Sequence, residues 1–253
     1  MNILYNSIVY YTVFNVTYYM SSYIVYLWDY NEICENENII KNNVIVDEIE
    51  MEMEMKMDMG NDINENKNSL TITKCQQTSL KELMDTYNKI TKTVMLNTFV
   101  YSLPIILIAG YYDTTFELVS FSFIKCMCDL FFALLCIDPF FYIMHRLFHI
   151  KPLYKIFHKK HHEITKPVGM AALYTTWGEF YLGNILPIFL PLFIVGAHPF
   201  TVKIWIMIVI INTIFLAHSG YKKLADFHDK HHQFFTKNYG TDIFMDKIMG
   251  TYM

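Results

Sequence analysis

Nine of the ten histidines in this 253-residue chain fall in four short motifs. His145 and His149 stand four apart. His158, His161 and His162 follow the pattern H-x-x-H-H, and His228, His231 and His232 repeat it, with His218 shortly before. Residues three and four apart share one face of a helix, so each motif predicts a patch of rings. Gathered together, protonated rings repel, and neutral rings present nitrogen lone pairs that need partners. Metal ions resolve both difficulties. One ion accepts roughly four to six ligands, so nine rings predict two ions. Imidazole suits iron, zinc, copper and nickel, which leaves the metal open. No H-E-x-x-H occurs, so nothing supports a zinc protease. A solvated histidine-rich loop has no reason to repeat helical spacing three times. His198, isolated between Ala197 and Pro199, reads as structural.

The elements that must position these rings are apolar. Apolar residues make up 53% of the chain and aromatics 17%, in long blocks that suit a bilayer. The net charge of −4 hides an asymmetry. Residues 29–68 carry twelve Asp and Glu against three Lys, a net of −9, so the remainder carries +5. The Lys and Arg flank apolar blocks and form no solvated basic face, which excludes a nucleic-acid partner. The five cysteines, Cys34, Cys75, Cys126, Cys128 and Cys136, are odd in number and lack C-x-x-C, so they read as reduced packing residues.

Residues 1–28 hold no charged side chain and are long enough to span, with no signal-peptide pattern. An interfacial helix is the alternative, given their Tyr, Asn and Ser content. Residues 29–93 read as an acidic, Asn-rich, disordered linker ending in a short amphipathic helix. Ser79 and Glu82 predict a capping box there. The alternation of charged and Met residues at 50–60 reads as a solvated low-complexity tract. Apolar runs at 94–112 and 118–144 form one hairpin, and runs at 179–197 and 199–217 a second. Basic clusters precede the second run and follow the third and fifth, at 74–92, 146–166 and 222–237. The positive-inside rule places all three in the cytosol. Pro152 ends the first motif's helix. The 55 residues from Glu163 to Ala217 allow two spans, which return His218 and the last trio to the side of the first five rings. The expected fold is an all-α integral membrane protein of two transmembrane hairpins plus an N-terminal span, with a cytosolic helical cap carrying the histidine boxes.

Ligating rings usually give their second N–H to a carboxylate or carbonyl. Asp138 lies two helical turns before His145 and sits in an apolar run at a cost, which marks it as such a partner. Asn238 and Asp246, after the last trio, are further candidates.

The set H-R-L-F-H, H-K-K-H-H, H-S-G-Y and H-D-K-H-H, followed by N-Y-G and D-K-I-M-G-T, resembles the fatty acid hydroxylase superfamily. That superfamily includes sterol C4-methyl oxidases, sterol C5-desaturases and cholesterol 25-hydroxylase. The resemblance covers residues 94–253, which it marks as a histidine-box membrane oxygenase domain. It implies a non-haem diiron centre, a place zinc could take in a purified form, on the cytosolic side of the endoplasmic reticulum. It implies His145, His149, His158, His161, His162, His218, His228, His231 and His232 as the ligands. It also implies O2-dependent hydroxylation or desaturation of a sterol or long-chain lipid drawn from the bilayer. Electrons would come from cytochrome b5 or an NAD(P)H-dependent reductase. Several members carry a further His where this chain has Phe227, which implies a site one ring poorer. The rival reading is a metal-binding membrane protein without redox activity: a transporter, a store or an inactive relative.

Overall fold

The computed structural model describes residues 2–54, 74–76, 78–116, 118–222 and 224–253, with the backbone alone described at 37–54. Residues 55–60 of the charged–Met alternation, and Lys223 of the last basic cluster, lie outside the described residues. The helices are α1 (Ile3–Glu54), α2 (Leu80–Leu96), α3 (Leu103–Thr114), α4 (Phe123–Phe148), α5 (Lys151–Leu153), α6 (Trp177–Glu179), α7 (Leu186–Ile194), α8 (Pro199–Asn212), α9 (Asp226–Phe234) and α10 (Ile243–Ile248). Single π-helical turns at Asn97–Tyr101, Tyr154–His158, Phe180–Ile185 and Thr213–Ala217 extend or join them.

Among the described residues, four continuous stretches are long and apolar enough to cross a membrane: Leu80–Thr114, Phe123–Phe148, Trp177–Ile194 and Pro199–Ala217. They make the two expected hairpins, and the chain is an all-α membrane protein. The amphipathic helix expected before the first span is not separate from it. α2 starts at the Ser79–Glu82 capping box, as read from sequence, and runs through the π turn into α3. The second hairpin turns at Gly196, whose φ of 56° favours glycine. His198 there accepts the Phe200 N–H, between the rings of Phe116 and Phe121.

α8 is the shared wall of two cores. Trp205 and Val209 pack with Cys126, Leu130 and Ala133 of α4 and Leu192 of α7. Ile206, Ile210 and the following Ile214 pack with Tyr18 and Val25 of α1.

α1 falls outside the four apolar stretches for a physical reason. Its inward face is polar: Asn6, Ser7, Tyr10, Ser21, Ser22 and Asp29 are buried, at helical spacing. Its outward face is apolar, with Leu4, Ile8, Val16, Met20 and Leu27 exposed. The inward polar groups of α1 thus lie where the bundle supplies the available partners. Tyr10 donates to Asp113 (2.6 Å) at one end of the bundle, and Trp28 packs on Phe215 and Tyr221 at the other. Gly110 lets the backbones of α1 and α3 approach, since a Cβ there would collide with Ser7 and meet the Ile3 carbonyl at 2.8 Å.

The disordered linker expected from residue 29 is corrected for 29–54, which continue α1. Glu, Met and Lys are strong helix formers, and extending an existing helix costs far less than starting one. Buried Asp29, paired with Lys74 at 2.9 Å, and buried Ile33 hold the first turns of that extension.

Asp113 also accepts from Lys203 (2.7 Å), whose ammonium lies 4.1 Å from the Tyr10 ring centroid. Asp113→Ala strands that ammonium, and the expected cost is about 3–5 kcal/mol. The double change Asp113→Leu with Lys203→Met should recover most of it. Denaturant titration in detergent micelles checks this; a single variant no worse than the double would contradict the pairing.

Candidate metal centre

The nine motif rings meet at one end of the spans and sort into two groups. His145, His149, His158, His162 and His231 form one, and His161, His218, His228 and His232 the other. Within each group the ligating nitrogens lie within 4.8 Å of one another. All nine rings are buried except half-buried His149.

The motifs do not each form one patch, as the spacing predicts. His158 and His162 go to the first group while His161 goes to the second. His231 goes to the first while His228 and His232 go to the second. Adjacent residues on a helix point about 100° apart, so H-x-x-H-H sends its last two rings in different directions. The local backbone sharpens the split. His158 ends a π turn and His161 begins a 3-10 turn.

Hydrogen bonds fix the tautomers. The Nδ1–H of His145 donates to the Tyr239 carbonyl (2.6 Å), that of His231 to the Lys237 carbonyl (2.6 Å), and that of His218 to the Thr213 carbonyl (3.0 Å). A carbonyl can only accept, so each Nδ1 carries the proton and each neutral ring has a bare Nε2. His158 Nδ1 faces a Glu179 carboxyl oxygen at 2.6 Å, and when Glu179 is ionised it too can only accept, with the same result. With Glu179 ionised, His145 Nε2 and His158 Nε2 are two bare nitrogens 2.9 Å apart; His158 Nε2 and His162 Nε2 are also 2.9 Å apart, with the His162 proton fixed by no hydrogen bond. Two bare lone pairs at that distance repel unless a cation lies between them. Metal–nitrogen bonds of about 2.0–2.1 Å place neighbouring ligand nitrogens about 2.9–3.4 Å apart. The further contacts, 3.1 Å for His162–His231, 3.3 Å for His149–His162 and 3.1 Å for His228–His232, fit that range. The donor set therefore fits metal.

Asp138, Asn238 and Asp246 touch no ring, which corrects their expected role as direct partners. All three hold the segment that supplies the Lys237 and Tyr239 carbonyls. Asp246 accepts from the N–H groups of Tyr239 (3.0 Å) and Gly240 (2.7 Å). Asp138 accepts from those of Thr241, Asp242 and Met245 at the start of α10. Asn238 donates to the Phe227 carbonyl (2.9 Å) and accepts from the Met253 N–H (2.8 Å). Gly240 lies between both carboxylates, where a Cβ would collide with Asp138. Phe235 and Asn238 take positive φ, 60° and 56°, to turn the chain back over the rings.

Glu179 was missed in the sequence, where it registers only as a charge beginning an apolar run. A lone acid at the edge of a span was the available signal. The three carbonyls leave no signal in residue type.

A cavity of about 680 Å³ extends from His145, His158, His161, His218 and His228 down between the spans. Its walls are largely apolar, with Ile188, Phe189, Trp205 and Val209 among them. Phe141, Phe180 and Glu179 line it too. Phe227 also lines it, stacked on Tyr252 (6.3 Å between centroids).

An all-helical bundle with two adjoining imidazole groups at the end of its spans, over an apolar cavity, defines a histidine-box membrane protein. Residues 130–251, just under half of the chain, match the family model described as fatty acid hydroxylase, and this part of the chain carries a domain of the fatty acid hydroxylase/sterol desaturase superfamily. The chain is 36% identical over 118 residues to human "Fatty acid hydroxylase domain-containing protein 2", covering 45% of this chain and 35% of that protein. It is 36% identical over 143 residues to "Fatty acid hydroxylase ahd1" of Mycosarcoma maydis, covering 55% and 37%. It is 32% identical over 187 residues to "Methylsterol monooxygenase erg25A" of Aspergillus fumigatus, covering 64% and 60%. The matches thus span between about a third and three fifths of these relatives' lengths. No solved structure matches.

Burial keeps the rings neutral. His149 is pushed down to about 2 by burial and by its neighbours His145 and His232. Burial takes His218 down to about 4, against the pull of the Thr213 carbonyl. Burial, reinforced by neighbouring rings, also holds His161 and His228 well below the ordinary 6.5. A folded value below the unfolded one stabilises above the unfolded value. As pH falls through 6.5 the unfolded chain takes up protons that the folded chain refuses, so stability is lost from there towards 4. Thermal melts of the metal-free chain in detergent should fall steadily over that window. A flat profile would contradict neutral buried rings.

Asp246→Ala releases Tyr239 and Gly240 and so frees the acceptor of His145. Bound metal per chain should drop about 10–100-fold at limiting metal. Elemental analysis after dialysis checks this, with Asp242→Ala as the exposed control.

Proposed function

We propose that this protein is a membrane-bound non-haem diiron oxidase, a hydroxylase or desaturase acting with O2 on a C–H bond of a sterol or long-chain lipid. The observation that carries the proposal is the opening of an apolar cavity directly onto both imidazole groups. His145, His149, His158, His162 and His231 would hold one iron, and His161, His218, His228 and His232 the other. When bound, the iron pair supplies activation of O2 and attack on an unactivated C–H bond, with electrons from cytochrome b5 or an NAD(P)H-dependent reductase. The chain does the rest. The carbonyls of Tyr239, Lys237 and Thr213, with Glu179, orient the rings. Apolar walls exclude water and align a lipid that enters from the bilayer, past Leu134 and Leu135 on the exposed face of α4. Residues 94–253 are the oxygenase domain in this reading, and residues 1–28 a fifth span supported by the inverted polarity of α1. The basic clusters beside the rings support a cytosolic orientation in the endoplasmic reticulum.

Sterol and fatty-acid profiling of cells expressing the protein tests the reading, with His161→Ala as control. A hydroxylated or newly unsaturated lipid should accumulate with the unaltered chain and be absent with the variant. Identical profiles would sink the lipid-oxidase reading. Metal binding without reductant-dependent O2 uptake would favour a transporter, a store or an inactive relative.

A further inference from the structure

Glu179 is the one carboxylate, among the described residues, in hydrogen-bond contact with any of the nine rings. It is 4% exposed, and its Oε2 has no partner, so the bond to His158 is its only side-chain hydrogen bond. A buried acid with a single partner is costly to ionise unless a positive charge lies nearby.

The chain around it is built to hold it there. Thr176 accepts the Glu179 N–H (3.2 Å) and donates to the Phe157 carbonyl (2.9 Å), tying the start of α6 to the residue before His158. Two glycines clear the space. A Cβ at Gly178 would collide with the Phe157 ring. One at Gly183 would meet Phe148 at 2.7 Å and the Glu179 side chain at 3.2 Å. The π turn Phe180–Ile185 follows at once, and such turns are frequent at functional sites.

The consequence falls on one ring group alone. His158 belongs to the five-ring group, whose Nδ1–H donors reach one carboxylate and two carbonyls. In the four-ring group, His218 reaches a carbonyl, and no ring contacts a carboxylate. An imidazole that donates to a carboxylate is the more basic ligand at its other nitrogen. Resting on the metal reading above, we propose that Glu179 is a positioning residue for His158 and makes the two metal sites unequal. The five-ring site fills first and holds its ion, and the four-ring site fills second and exchanges.

The test is a Co(II) titration of the metal-stripped full chain in lipid nanodiscs, followed by visible absorption, which distinguishes five-nitrogen from four-nitrogen environments. The unaltered chain should bind in two steps separated by at least about tenfold, and this ordering needs no substitution to observe. Glu179→Gln, which keeps an acceptor but removes the charge, should weaken the first step by about 10–100-fold and shift its spectrum, leaving the second step in place. His161→Ala should remove the second step alone. Two equal steps in the unaltered chain would overturn the inference, as would a Glu179→Gln titration unchanged in both steps. An unaltered chain that binds no metal would overturn the metal reading, and this inference with it.

Discussion

Two imidazole nitrogens that face each other out of water, with no proton between them, repel. His145 and His158 are held in that relation at 2.9 Å. With Glu179 ionised, both rings have their only proton directed elsewhere, to the Tyr239 carbonyl and the Glu179 carboxylate. The contact is stable only if a cation satisfies it or the surrounding fold imposes it. Much of the cap answers to this constraint. α10 and the turn before it are pinned by Asp138 and Asp246, and these fix where the Tyr239 carbonyl points. The strained backbone at Phe235 and Asn238 is where the chain turns to bring that carbonyl over the rings.

The sequence disclosed the ring set and the membrane character well, because both are written in residue type and spacing. Two hairpins follow from apolar run lengths, and the meeting of nine rings follows from counting spans between them. The capping box at Ser79 was legible for the same reason. Three things were not. The division of each motif between two groups depends on side-chain direction around a turn, and H-x-x-H-H reads identically whichever way its rings diverge. The carbonyl partners of His145, His218 and His231 belong to the backbone, which every residue shares. Asp138 reads from the sequence as an expensive residue, but expense does not say what the residue holds.

α1 shows what averaging along a helix hides. Averaged along the helix, its inward Asn, Ser and Tyr side chains cancel its outward Leu, Ile, Val and Met. Averaging discards direction, and direction carries the information here. The tyrosines are spent on contacts within the bundle: Tyr10 on Asp113, Tyr18 on the Met170 carbonyl and Tyr19 on Thr98. Tyr18 also lines the cavity with Phe14, so a helix outside the family match contributes to the wall of the shared site.

Because both H-x-x-H-H motifs feed both ring groups, the centre is woven rather than stacked. A stacked pair could gain or lose one half by exchanging one segment. Here, exchanging either motif with a relative disturbs both halves together. Chimaeras between family members should therefore tolerate grafts at the N-terminus or in the spans far more readily than grafts of a single box. Drift within the boxes is correspondingly locked, since a change that suits one half is judged at once by the other.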